Sequence, residues 1–154
     1  MLSDDVFRER LERLLVELEA WAETTRDASA IDIAASARYW RMSVHPFAEG
    51  ACPFEIMIKA DQTFSLKLQD EVYEDRPLDR FDFFVRLVEA IAAGRVERIE
   101  TFNALTGLLL AIEMRVELSP GWDWIGVRSV APQKSPALVE AVECSTHRFL
   151  PYRR

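Results

Sequence analysis

The sequence predicts an α+β protein in which two amphipathic helices pack on one face of an antiparallel β-sheet. Two segments repeat their apolar residues every three or four positions, and about six shorter segments alternate apolar and polar residues. Turn residues separate successive strands. The predicted order is αβββ-αβββ plus a short C-terminal element, with the strands in two meanders. At 154 residues, the chain fits a single domain over 1–154.

The first helix is predicted over residues 4–25. Its apolar side chains line one face: Phe7, Leu11, Leu14, Leu15, Leu18 and Ala22. Ser3 or the aspartate after it can cap the N-terminus. Residues 26–36 carry mixed signals, because Ile31 and Ile33 fit either a short strand or a loop that places both side chains under the helix.

Three strands are predicted in the first half, near 37–45, 54–60 and 63–69, because each segment alternates apolar and polar residues. The acidic stretch 69–80 separates this meander from the next helix. It lacks the alternating carboxylates and the central glycine of a calcium loop. We therefore interpret it as a solvated connector.

The second half repeats this order. A helix is predicted over 78–93, ending at Gly94, and strands are predicted near 96–102, 108–118 and 122–130. The two halves share the order of elements without matching residues, so the sequence indicates no internal duplication.

The middle strand of the second meander has the most regular alternation in the chain. Its inward side is predicted to include Ile112, turned toward the helices. The C-terminal element is predicted as a short helix over 135–142 and an edge strand over 143–149.

Composition and charge argue against several classes of partner. The net charge of −7 and the pI near 4.9 disfavour nucleic acid and anionic lipid, since both attract a positive surface. The longest apolar run, Leu108–Ile112, is far shorter than the roughly 18–20 residues of a membrane span. The first residues lack the basic and apolar regions of a secretory signal, so a cytoplasmic location is expected.

Four side chains have the chemistry to ligate zinc: His45, Cys52, Cys144 and His147. Cys144 and His147 have ligand-like spacing, but His45 and Cys52 stand seven residues apart across a proline. A cysteine or serine nucleophile would need an oriented base, as His45 and Glu49 would have to provide for Cys52, or His147 for Ser145. No nucleophile elbow or glycine-rich phosphate loop accompanies them. The sequence therefore predicts two buried reduced thiols, two surface histidines, no metal and no cofactor.

Residues on the predicted strands form the candidate binding site. Trp122 and Trp124 share one strand face, and tryptophan combines a large apolar area with a polar N–H group. Tyr39, Arg41 and His45 share one side of the first predicted strand. The competing interpretation for the tryptophans is a core position beneath the helices, because alternate aromatic residues on strands usually pack inward.

The favoured functional interpretation is a non-catalytic protein-interaction or binding module that self-associates through an exposed sheet face or edge. In element order over most of the chain, with no diagnostic residues, the sequence resembles the type III secretion chaperones. That resemblance implies a dimer that holds a partner segment unfolded. A homo-oligomer with a protein partner is therefore expected.

The alternative is a small enzyme or ligand carrier with an apolar pocket between a curved sheet and the helices. Polar side chains would then have to project into that pocket: Tyr39, Arg41, His45, Asp123 and Arg128. The two interpretations differ in a visible property, because a carrier needs an enclosed concave pocket whereas an interaction module exposes an apolar patch.

Overall fold

The computed structural model describes residues 1–130 and 141–153. It confirms an antiparallel α+β architecture. The helices are Asp4–Thr25 (α1) and Phe83–Ala92 (α2). The first sheet contains Ser29–Ala35 (β1), Tyr39–Pro46 (β2), Phe54–Lys59 (β3), Thr63–Leu68 (β4) and Glu71–Pro77 (β5). The second sheet contains Val96–Asn103 (β6), Leu109–Ser119 (β7), Trp122–Ser129 (β8) and Val142–Arg148 (β9). The described residues thus form nine strands in two sheets, and the prediction of about six strands in the order αβββ-αβββ is wrong.

Helix α1 has the predicted bounds. The hydroxyl of Ser3 accepts a hydrogen bond from the N–H of Val6 at 3.5 Å, which satisfies one donor of the first turn. The helix buries one face: Phe7, Leu14, Leu18, Ala22 and Thr25. Its Trp21 ring lies tilted against Phe54 of β3, with centroids 6.0 Å apart. The helix therefore covers the inner face of the first sheet.

The first sheet is a meander in which each strand pairs with the next one in sequence. Its inner side is apolar and buried: Trp40, Met42, Val44, Phe54, Ile56, Ile58, Phe64, Leu66 and Leu68. Its three middle strands agree closely with the predicted ones. Strand β1 resolves the ambiguous segment, because Ile31 and Ile33 pair with Val44 and Met42 of β2.

Strand β5 corrects the interpretation of residues 69–80 as a solvated connector. Residues 71–77 pair antiparallel with β4, with a register shift between Phe64 and Leu66. Glu71 and Tyr73 are buried, whereas the other residues of the strand are exposed. Because β5 is at the edge of the sheet, most of its charged side chains stay in water while the backbone pairs on one side.

Helix α2 begins five residues later than the predicted residue 78. The N–H of Leu78 donates to the carbonyl of Gln62 at 3.0 Å, which holds the chain in a turn. Asp82 precedes the helix but pairs with Arg80, with 2.7 Å between carboxylate and guanidinium, instead of capping the helix. The helix is therefore shorter than its apolar stripe suggested.

The end of α2 and its packing connect the two sheets. Gly94, at φ +80°, follows the helix as the predicted C-terminal glycine. Phe84 meets Phe64 of β4 edge-on, with ring centroids 5.1 Å apart. The same helix packs against β7. The helices thus lie against two sheets that share one hydrophobic core, rather than on one sheet.

The second sheet has the strand order β8-β7-β6-β9, and its first three strands confirm the predicted meander. Ile112 is in β7 and is 2% exposed, in agreement with its predicted burial. Strand β9 agrees with the predicted edge strand over 143–149. The predicted helix over 135–142 falls mainly outside the described residues. Val142 begins β9, so that helix does not extend to 142.

The C-terminal residues fasten distant parts of the chain together. The N–H of Leu150 donates to the carbonyl of Gly50 at 2.9 Å, and the N–H of Tyr152 donates to the carbonyl of Ala92 at 2.9 Å. The Tyr152 hydroxyl also donates to the carbonyl of Cys52 at 2.6 Å. Burial raises the pKa of Tyr152, so the hydroxyl stays a donor.

Within 1–130 and 141–153, no helix combines the length and the apolar content that a bilayer crossing requires. The single domain over 1–154 stays a prediction.

Candidate functional site

An open cleft of about 250 Å³ lies where β4, β5, the start of α2 and β8 meet. Its lining comes from four separate segments: Phe64, Arg76, Pro77, Asp79, Arg80, Phe83, Trp122, Asp123 and Trp124. We call this site the aromatic cleft. It contains both tryptophans that the sequence singled out.

The two tryptophans reach the aromatic cleft because they alternate on β8. Both are half-buried, so they are neither core residues nor free surface residues. The Trp124 ring meets Tyr73 of β5 edge-on, with centroids 4.9 Å apart. The Tyr73 hydroxyl donates to the carbonyl of Gly126 at 3.2 Å. One hydrogen bond and one ring contact thus join the edge strands of the two sheets.

Gly126 permits this close approach. A Cβ atom at this position would overlap the Tyr73 ring and would lie 2.6 Å from Cη2 of Trp124. Glycine inside a strand often marks such a point of contact. The aromatic cleft therefore depends on the missing side chain at Gly126.

Arginine stacks on one face of Trp122. The guanidinium carbon of Arg80 lies 3.9 Å from the centroid of the indole, and that of Arg86 lies 5.6 Å away. Arg80 also donates two hydrogen bonds to Asp82, at 3.0 and 2.7 Å. These bonds hold the pKa of Asp82 below its ordinary value. Arg80 is thus fixed over Trp122 by a ring on one side and a carboxylate on the other.

An ion pair between buried Glu71 and half-exposed Arg128 joins β5 to β8 beside the aromatic cleft. The Glu71 side chain is 3% exposed and accepts hydrogen bonds from Nε and Nη2 of Arg128 at 2.8 and 3.1 Å. Burial raises the pKa of the neighbouring Tyr73 to about 12, with the Glu71 charge adding to the rise and Arg128 opposing it. Tyr73 therefore remains a neutral donor at ordinary pH.

The other predicted binding residues lie elsewhere. Tyr39, Arg41 and His45 are on the outer side of β2, facing away from the buried side of the first sheet. Arg41 pairs with Asp32 at 3.2 Å and with Glu55 at 3.4 Å. The five residues proposed from sequence thus form two separate groups, and only the tryptophans line the aromatic cleft.

The candidate zinc ligands and nucleophiles are also dispersed. Cys52 is buried at the turn before β3, and burial raises its pKa to about 12, so its thiol is a poor nucleophile. The prediction of two buried thiols is wrong for Cys144, which is exposed on β9 with its sulfur 3.7 Å from the hydroxyl of Thr101. Among residues 1–130 and 141–153, no three His, Cys, Asp or Glu side chains are arranged to hold a metal ion.

A second depression, of about 350 Å³, lies at the end of the second sheet. Its lining is charged: Arg95, Glu97, Arg115, Glu117, Asp123 and Arg148, with Gly94 and Val96. Glu97 and Arg148 already pair at 2.5 Å, and Arg115 pairs with Glu113 at 3.0 Å. Because this lining has three arginines, three carboxylates and no aromatic ring, we regard the aromatic cleft as the stronger candidate site for an apolar group.

Sequence reasoning missed the residues that complete the aromatic cleft, above all Phe64, Phe83 and Arg80. They come from β4, α2 and the turn before α2, so no local pattern brings them together. Gly126 was the one local signal, since a glycine between alternating strand residues marks close packing.

Comparisons with known proteins add no assignment. No protein-family model matches the chain, and no curated protein or solved structure matches it significantly. The element order behind the resemblance to type III secretion chaperones is also not the observed order, because five strands rather than three separate the helices.

Proposed function

We propose that this protein is a non-catalytic, self-associating binding module whose aromatic cleft receives a bulky apolar side chain from a partner protein. One observation carries the proposal: Trp122 and Trp124 stand half-buried on an apolar floor that opens to the surface between the two sheets. Tryptophan and arginine are the residues most enriched at the centres of protein interfaces. Tryptophan and arginine side chains both line the aromatic cleft.

The size of the aromatic cleft supports a side chain as the occupant. At about 250 Å³, it is smaller than the roughly 300–1,000 Å³ of most small-molecule pockets. Its floor is formed by rings from three elements, including Phe64 and Phe83, whose centroids are 5.5 Å apart. Such a floor favours an aromatic or large aliphatic anchor.

The rim of the aromatic cleft supports a basic partner segment. Arg80 is already paired with Asp82 and Arg76 lies over the Tyr73 ring, whereas Asp79 and Asp123 form no ion pair within the described residues. The chain as a whole carries a net charge of −7, which attracts cationic partners. We therefore expect an apolar anchor flanked by lysine or arginine.

The alternative, a small enzyme or ligand carrier, stays a prediction. Three of the polar residues on which it relied, Tyr39, Arg41 and His45, lie on the outer side of the first sheet. A fourth, Arg128, is bound to Glu71, and the fifth, Asp123, lines the aromatic cleft. No specific observation favours this alternative over the binding module.

A displayed library of random dodecapeptides tests the proposal. Peptides enriched on the full chain are expected to contain a large apolar residue next to basic ones. Trp122→Ala should weaken their binding about 30-fold, the effect of losing a central interface residue. Fluorescence anisotropy with labelled peptides gives the dissociation constants.

Tyr39→Ala is the matched control, since it removes an exposed aromatic ring from the other candidate surface. It should leave the dissociation constants unchanged. Circular dichroism and thermal unfolding of both variants would verify that they fold. Enrichment of no peptide family, or peptides that depend on Tyr39 and not on Trp122, would contradict the proposal.

A further inference from the structure

We propose that two copies of the chain associate through strand β9, in an antiparallel register centred on Ser145, so that their second sheets join into one sheet of eight strands. This inference rests on the self-association in the proposed function and specifies the surface and the register. It does not depend on the aromatic cleft.

Strand β9 is the open edge of the second sheet. Among the described residues only β6 pairs with it, and all seven of its residues are exposed. An edge strand presents unpaired N–H and C=O groups that can pair with another chain. The strand is also regular, because all seven of its residues pair with β6 without a bulge.

Two hydrogen bonds fix which backbone groups of β9 point outward. The N–H of Phe149 donates to the carbonyl of Val96 at 3.0 Å, and the N–H of Ala104 donates to the carbonyl of Ala141 at 2.8 Å. Antiparallel strands direct alternate residues to each neighbour. The backbone groups that face the open edge are therefore those of Val142, Cys144, Thr146 and Arg148.

This alternation limits the registers available to a second copy. Across a two-fold axis, outward-facing residues must pair with outward-facing residues. Centring on Ser145 places Cys144 opposite Thr146 of the second copy and Val142 opposite Arg148 of the second copy. It pairs the whole strand, whereas moving the centre by one residue leaves two residues of each strand unpaired.

The charges along β9 suit this register. Glu143 lies opposite His147 of the second copy, in the closely spaced type of pair where side chains interact most strongly. The contact forms twice because the axis is two-fold. Within its own copy His147 is opposite Arg98 of β6, so a carboxylate from the second copy also adds a favourable neighbour there. No like charges face each other across the new pair of strands.

Disulfide trapping tests the register. On a Cys144→Ser background, Ser145→Cys places two introduced thiols at a pair with about 4.5 Å between Cα atoms, within the range of a disulfide. Thr146→Cys on the same background is the matched control. Its two thiols lie diagonally, about 8 Å apart, too far for a disulfide.

Diamide, which accepts two electrons and two protons as the disulfide forms, should cross-link the Ser145→Cys variant at least tenfold faster than the control. Sedimentation velocity of the unmodified chain should show a dimer. Glu143→Lys should weaken dimerisation about fivefold, and adding His147→Glu should restore it. Thermal unfolding verifies that each variant folds.

A chain that is monomeric at every concentration would overturn the inference, as would a dimer in which both variants cross-link at the same rate. These outcomes are distinct from failure of the aromatic cleft. A monomer that binds the selected peptides removes only the β9 dimer. A dimer that cross-links as expected but enriches no peptide removes only the aromatic cleft.

Discussion

The two sheets differ in how much of their surface the fold uses. The first sheet buries the inner side of β2, β3 and β4 completely beneath the helices. In the second sheet, β7 buries its inner side from Ile112 to Leu118. Its neighbour β6 turns Arg98 and Glu100 to the same side, and β9 is exposed throughout.

This difference separates stability from binding. Burial of apolar surface provides most of the folding free energy, so the first sheet, the helices and the inner side of β7 hold the fold together. The second sheet leaves the tryptophans of β8 half-buried and the edge of β9 open. Surfaces that remain accessible after folding are the ones available for partners.

The sharpest test of this contrast compares Ile56→Ala with Val127→Ala. Ile56 is fully buried in β3, whereas Val127 is 54% exposed on β8. The first substitution should lower the free energy of unfolding by roughly 2–5 kcal/mol, and the second by less than about 0.5 kcal/mol. Urea denaturation measures both values. Similar losses for the two variants would contradict the proposed division between the buried inner faces and the exposed surface of β8.

Gly126→Ala examines the close contact between β8 of the second sheet and Tyr73 of the first. The added methyl group would overlap Tyr73 and Trp124, so we expect a loss of roughly 1–3 kcal/mol and a changed tryptophan fluorescence spectrum. Ser129→Ala, at an exposed position of the same strand, should change neither. An unaltered spectrum in Gly126→Ala would show that the contact between β5 and β8 is loose.

The difference in thiol reactivity can be measured with the fold intact. Burial raises the pKa of Cys52 from 9.0 to about 12, and Cys144 is exposed on β9. At pH 8, only about one Cys52 thiol in ten thousand is ionised, so iodoacetamide should label Cys144 at least about a hundredfold faster. Peptide mass spectrometry gives the two rates. Equal rates would mean that the first sheet opens readily.

The buried side chains of Cys52 and Tyr73 determine how the free energy of unfolding changes with pH. The folded state keeps the protons of Cys52 and Tyr73 above the pH at which the unfolded chain loses them. Because the folded state then binds more protons, the free energy of unfolding should fall as the pH rises from about 9 to 12. Urea denaturation at pH 8 and pH 10.5 measures the fall. A stability that rises over this interval would contradict the burial of both groups.

Elements with a regular apolar period were predictable from sequence, whereas strand β5 and the start of α2 were not. The alternation around Ile112 and the stripe of α1 reflect burial on one face, which leaves a pattern in the chain. Strand β5 was missed because its exposed carboxylates resemble a loop, and only Glu71 and Tyr73 point inward. The start of α2 was placed too early because its turn is held by a contact with Gln62, which no local signal reveals.

The candidate site was predictable in part for a similar reason. Trp122 and Trp124 were found because both stand on one strand, whereas Phe64 and Arg80 join them only through tertiary contacts. Tyr39 fitted the strand pattern equally well but lies on the other sheet. Strand periodicity gives the side of a strand and does not give the sheet to which that strand belongs.

Fluorine NMR with 5-fluorotryptophan tests the central claim most directly, because the chain has four tryptophans at distinct sites. A peptide selected on the protein should shift the signals of Trp122 and Trp124 and leave those of Trp21 and of buried Trp40 in place. Shifts confined to Trp21, or no shift at Trp122 and Trp124 at saturating peptide, would contradict a binding site in the aromatic cleft.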